Sequence, residues 1–81
     1  MKAKHKKTLQ AVFTKPTLPG IVFADLEALV ISVGGDVREG EGSRIVFELN
    51  GKRLYPHPGK EAKRYQVEEL RELLTSQGIT P

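Results

Sequence analysis

The chain contains no cysteine. Neither a disulfide framework nor a thiolate metal site is available to it, so the fold has to stand on packing alone. It also lacks any apolar run long enough to span a membrane, and no hydrophobic segment follows the basic N-terminus in the manner of a secretory leader. Both absences point to a cytoplasmic protein. Apolar residues make up only 38% of the 81 residues, which bounds residues 1–81 to a single domain with a modest core. No internal repeat or low-complexity segment is visible. Histidine is scarce, with only His5 and His57. Asp25, Glu27, Glu68, Glu69 and Glu72 fall at helical spacing on polar faces and form no metal-ligand pattern. They are expected to be solvated, and neither a metal nor a cofactor is expected.

Positive charge is present in two places rather than spread evenly. The formal net charge is +3. Lys2, Lys4, Lys6, Lys7 and Lys15 crowd the start, and Lys52, Arg53, Lys60, Lys63 and Arg64 crowd the middle of the chain and the segment after it. Two basic clusters suggest contact with a polyanion, nucleic acid foremost. Solvated lysines at a flexible end are the competing explanation.

Apolar spacing predicts three helices. Leu9, Val12 and Phe13 share one face of a helix over about 6–14, preceded by a flexible basic arm over residues 1–6. Pro16 ends that helix, because proline disfavours helix at the residue before it. Phe23, Leu26, Leu29, Val30 and Val33 predict a second helix over 23–33, stopped by Gly34-Gly35. Val67, Leu70, Leu73 and Leu74 predict a third over 65–76, closed by Gly78, with Ile79 turned back onto the core. Asp36 to Glu39 is a short strand with only Val37 to bury, and Gly40-Glu41-Gly42 is a turn.

Gly42 to Gly59 reads as a β-hairpin. Ile45, Phe47 and Leu49 alternate with Arg44, Val46 and Glu48, the two-residue period of a half-buried strand. Asn50-Gly51 readily supplies the positive φ angles of a two-residue type I′ turn. That turn sets Leu49 opposite Lys52, Glu48 opposite Arg53, Phe47 opposite Leu54, Val46 opposite Tyr55, Ile45 opposite Pro56 and Arg44 opposite His57. Ile45, Phe47, Leu49 and Leu54 then share an apolar face for helices to cover. Arg44, Val46, Glu48, Arg53, Tyr55 and His57 share the other, left to solvent or a partner. The order α-α-β-β-β-α predicts an α+β two-layer sandwich: a three-stranded antiparallel sheet with helices on one face. The layout is that of a double-stranded-RNA-binding domain with an extra N-terminal helix.

Gly42-Ser43-Arg44 at the strand start, Pro56-His57-Pro58 after the hairpin, a lysine-rich connector, and Leu70-Arg71-Glu72-Leu73-Leu74 running to Gly78-Ile79 resemble the HicA toxins of bacterial HicA–HicB toxin–antitoxin systems. The resemblance covers roughly residues 22–80, and the N-terminal Lys-His-Lys-Lys-Thr-Leu segment looks like that of a longer-armed subgroup. It implies a small ribonuclease that cleaves mRNA, arrests translation and is neutralised by a HicB antitoxin. In the family the residue after Gly-Ser is typically a histidine needed for cleavage; here it is Arg44.

Metal-independent RNA cleavage needs a base for the 2′-hydroxyl, an acid for the leaving oxygen and positive charge on the phosphorane. An imidazole suits the proton transfers and a guanidinium the phosphate. His57 is therefore the candidate for proton transfer and Arg44 for phosphate contact. Against this, His57 is a turn residue held by two prolines, and Arg44 is a strand residue paired with Glu41. Ser43 is a phosphate donor or a turn cap. Tyr55 stacks on a base or covers the sheet edge. Arg53, Lys60, Lys63 and Arg64 grip an RNA backbone, with steep salt dependence, or are solvated. His5 reads as a tether residue. Two rival functions stand beside the ribonuclease: an RNA-binding module without chemistry, and a protein-interaction domain whose basic face meets only an acidic partner.

Overall fold

Each apolar stripe becomes a helix in the computed structural model, which describes residues 1–81. Helix α1 spans Ala3–Phe13, α2 Phe23–Ser32 and α3 Arg64–Ser76; strands β1, β2 and β3 span Asp36–Glu39, Ile45–Leu49 and Lys52–Leu54. The strands form one antiparallel sheet in the order β1-β2-β3. The fold is α+β, with the element order the sequence pattern predicts.

The core takes residues from every helix and from the central strand. Leu9 and Val12 of α1, Phe23, Leu26, Leu29 and Val30 of α2, Phe47 and Leu49 of β2, and Val67, Leu70, Leu73 and Leu74 of α3 form one buried cluster. Phe23 and Phe47 stack with ring centroids 5.7 Å apart, joining α2 to the sheet. Helix α2 packs on β1 and β2, α3 packs on β3, and α1 packs on α2 and α3.

Helix α1 is longer than its apolar stripe predicts. Ala3, Lys4 and His5 belong to the helix, which corrects the expectation of a flexible arm over residues 1–6. Apolar spacing marks only the part of a helix that packs. Alanine and lysine are good helix formers, so the exposed turn continues beyond it. Lys4 Nζ lies 3.8 Å from the Asp25 carboxylate of α2, so Asp25 is paired rather than merely solvated.

Helices α2 and α3 end in the same way. Gly34, with φ +92°, lets the Gly35 N–H reach back to the Val30 carbonyl at 2.9 Å. After α3, the Ile79 N–H reaches the Leu74 carbonyl at 2.9 Å and Ile79 packs on the core. This is the Schellman pattern, with a left-handed residue after the cap. Gly35 matters for a different reason. A Cβ there would stand 2.7 Å from Val30 Cγ1 and 2.8 Å from the Glu48 carbonyl oxygen. The chain can enter β1 this close to α2 and β2 only without a side chain at that position.

Two polar ties set the helices against one another. Arg71 of α3 donates to the Val12 and Thr14 carbonyls at 2.8 and 3.2 Å, satisfying the C-terminal end of α1. It also donates to Thr17 Oγ1, whose hydroxyl donates to Glu68 Oε2 at 2.9 Å. Glu68, expected to be solvated, is thus half-buried and doubly held, with Arg64 Nε at 3.2 Å. Its carboxyl is pushed below the usual range, first by the Thr17 hydroxyl and then by Arg64.

Candidate functional site

The site is built on the hairpin turn. Asn50 and Gly51 have φ of 50° and 83°, the positive pair a type I′ turn requires. Because only two residues lie in the loop, the register follows at once: Leu49 opposite Lys52, Glu48 opposite Arg53, Phe47 opposite Leu54. This is the predicted pairing. One more backbone bond, Ile45 N–H to the Pro56 carbonyl at 3.0 Å, carries the hairpin past the end of β3.

On the face away from the core cluster, this register assembles an ion ladder across all three strands. Glu48 stands in the middle, 3.3 Å from Arg53 on β3 and 2.9 Å from Arg38 on β1; Arg38 also lies 2.7 Å from Asp36. The Arg38 hydrogen bond is the main reason the Glu48 carboxyl sits below its usual range, with Arg53 adding to it. The same bonds, to Glu48 and then Asp36, hold Arg38 more firmly protonated. Two of the arginines on this face are therefore partly neutralised. The Asn50-Gly51 turn specifies the Glu48–Arg53 pair but not the Arg38 contact. Five residues, Gly40 to Arg44, separate β1 from β2, and a loop of that length does not dictate a register as Asn50-Gly51 does.

Beside the ladder the surface opens into a concavity of about 660 Å³, lined by Arg38, Arg44, Arg53 and Tyr55 together with Glu39 and Glu41 and floored by Val46. Val46 belongs to the open face, yet only 6% of it is exposed. Gly40 lies so close that a Cβ there would stand 2.9 Å from Val46 Cγ2. A second concavity of about 320 Å³ adjoins the first. It shares Arg44, Arg53 and Tyr55 and adds Pro56, Tyr65 and Glu69.

Arg44 is the charge on this surface with a free guanidinium. It donates from Nη1 to the Tyr55 carbonyl at 2.7 Å and has no carboxylate within ion-pair distance. Only its backbone N–H bonds Glu41, at the carbonyl, so the side-chain pairing with Glu41 considered from the sequence is not formed. The bond to Tyr55 steadies the planar fork while leaving its other N–H groups for an anion. Tyr55 itself is 53% exposed, and Ser43 is exposed in the turn before β2.

His57 is held from behind. Its carbonyl accepts a hydrogen bond from Gln66 Nε2 at 2.9 Å, and Gln66 Oε1 accepts from the Lys63 N–H at 2.9 Å. Gln66 is only 4% exposed, so one buried amide ties the Pro56-His57-Pro58 segment to the start of α3. His57 is exposed and lines neither concavity. The direct Arg44–His57 cross-strand pair expected from the register is not formed. The β2–β3 ladder ends at Phe47–Leu54, one further backbone bond joins Ile45 to Pro56, and the next carbonyl, that of His57, is held by Gln66 of α3. The sequence marks Gln66 only as a polar residue in the first turn of a helix, with no signal of its partners.

The basic residues after the hairpin line neither concavity. Lys60, Lys63 and Arg64 are all exposed. Backbone bonds from Phe23 N–H to the Lys60 carbonyl at 3.0 Å and from Ala62 N–H to the Ile21 carbonyl at 2.7 Å fasten this connector to the start of α2. Arg64 is paired with Glu68 at 3.2 Å. His5 is half-buried on α1, apart from both concavities. No three of the histidines, aspartates and glutamates are grouped to hold a metal ion, and no helix is long and apolar enough to cross a membrane. None of the family models, curated proteins or solved structures compared with the chain matches it.

Proposed function

We propose that this chain is a HicA-like toxin that binds and cleaves mRNA, acts in the cytoplasm and is neutralised by a HicB-like antitoxin covering the open sheet face. The reading rests on the Gly42-Ser43-Arg44, Pro56-His57-Pro58 and Leu70–Leu74 resemblance and on the likeness of the element order to a double-stranded-RNA-binding domain with its helices layered on one sheet face. One observation carries it furthest. Arg44, free of any carboxylate, lines a concavity with Tyr55 and Arg53. In this reading Arg44 takes the phosphate, and Ser43, Arg53, Lys60, Lys63 and Arg64 contribute backbone contacts. His57 is the residue with proton-transfer chemistry nearest in sequence to Tyr55, to which Arg44 is bonded.

A second reading, an RNA-binding module without chemistry, is favoured by one fact: His57 lines neither concavity. Incubating the purified chain with end-labelled mRNA in EDTA separates the two. The ribonuclease reading expects discrete cleavage products, lost by about 100-fold or more in His57→Ala, the scale on which a positioned acid or base acts. Binding without cleavage moves the conclusion to the module. Absence of RNA binding at low salt removes both and leaves a protein-interaction domain.

A further inference from the structure

We infer that the joined concavities bind a single-stranded stretch of nucleic acid, with one base on Tyr55, a neighbouring base on Tyr65, and the phosphate between them on Arg44. The inference rests on the RNA-binding reading above and names the form of nucleic acid it takes. Tyr55 and Tyr65 are 53% and 51% exposed, so each presents ring surface to solvent. They come from different elements, Tyr55 from just beyond β3 and Tyr65 from the first turn of α3. Both nevertheless line the same concavity, and Arg44 and Arg53 are in its lining with them. Exposed rings beside arginines are the arrangement that holds unpaired bases by stacking and their backbone by charge. In a duplex the base faces are stacked on each other and are not available to a tyrosine.

The charges along the surface assign the strand's parts. Arg53 is partly neutralised by Glu48 at 3.3 Å, whereas Arg44 has no carboxylate partner. The phosphate therefore goes to Arg44. Glu69, in the same lining as Tyr65, repels phosphate and can accept a hydrogen bond from a base N–H or a ribose 2′-hydroxyl. Glu39 and Glu41 line the larger concavity but not the one that holds Tyr65, and they keep the backbone to the arginines the two concavities share, Arg44 and Arg53. The strand thus runs from the Tyr65 end over Tyr55 and turns out before the β1–β2 loop.

The test uses the full chain and a fluorescently labelled 2′-O-methyl RNA of mixed sequence, which resists cleavage, either single-stranded or annealed to its complement. Anisotropy titrations at low salt should show the single strand binding at least about tenfold tighter than the duplex. Tyr55→Ala and Tyr65→Ala should each weaken single-strand binding by roughly 5- to 150-fold, the range stacking of one base on an aromatic ring accounts for. Tyr55→Phe and Tyr65→Phe should restore most of it, since the ring and not the hydroxyl is used. Equal binding of single strand and duplex, or alanine variants that bind single strands like the parent, would overturn the inference while leaving RNA binding in place. Failure of the parent to bind either form would overturn both. Both tyrosines are more than half exposed, and circular dichroism of each variant confirms that the fold is kept.

Discussion

Gln66 shows how one buried side chain decides the position of an exposed one. Its amide accepts from the Lys63 N–H and donates to the His57 carbonyl, so the first turn of α3 and the Pro56-His57-Pro58 segment share a fastening. Gln66→Leu keeps the volume and removes both bonds. It should lower stability by about 1–3 kcal/mol, the cost of leaving buried polar groups unpaired, read as a lower urea midpoint. It should also weaken whatever His57 contributes, so a cleavage assay on the same variant would show a loss beyond the unfolded fraction. At this scale the sequence was informative about residue types and silent about partners. Arg44, Tyr55 and Arg53 could be placed on one face because strand alternation is local. That Arg44 bonds the Tyr55 carbonyl, and that Gln66 of α3 bonds the His57 carbonyl, depends on chain segments brought together from a distance.

The elements were legible to the degree that their signals are local. Asn50-Gly51 set the β2–β3 register because a two-residue loop with positive φ at both positions leaves one pairing. The five-residue link between β1 and β2 carries no such constraint, so Arg38 and its bonds to Glu48 and Asp36 could not be read. Helix ends followed the same rule: Gly34 marked the end of α2, while nothing apolar marked the start of α1 at Ala3. Gly35 ties the element scale to packing. Gly35→Ala places a methyl group against Val30 and the Glu48 carbonyl, and should destabilise the fold by about 1–3 kcal/mol through overpacking. Gly59→Ala, whose Cβ would meet nothing nearer than 3.7 Å, should stay within about 0.5 kcal/mol of the parent. Thermal unfolding of the two variants side by side checks the contrast.

For the molecule as a whole, acid is the condition that reaches the sheet and the helix packing at once. The Glu48 and Glu68 carboxyls lie below their usual range in the folded protein, through the Arg38 hydrogen bond and the Thr17 hydroxyl respectively. In that range the unfolded chain binds more protons than the folded one, so stability rises with pH. Their contribution is fully present at neutral pH. It fades as pH falls through the ordinary carboxylate range near ~4 and below it, where the folded forms protonate in turn. Urea midpoints measured from neutral pH downward should fall across that window, and Glu48→Gln should flatten the curve. The effect is modest, because the Glu48 ladder is partly exposed and water screens it. By itself the sequence determined the element order, the three apolar stripes, the β2–β3 pairing and the candidate residues of the open face, because periodicity and turn chemistry act over a few neighbouring residues. Only the tertiary structure decided that Arg38 joins Glu48, that Gln66 ties the His57 carbonyl to α3, and that Tyr65 shares a concavity with Tyr55 and Arg44. Those contacts join residues whose approach is set by how α2 and α3 pack against the sheet, and no spacing along the chain encodes that packing directly.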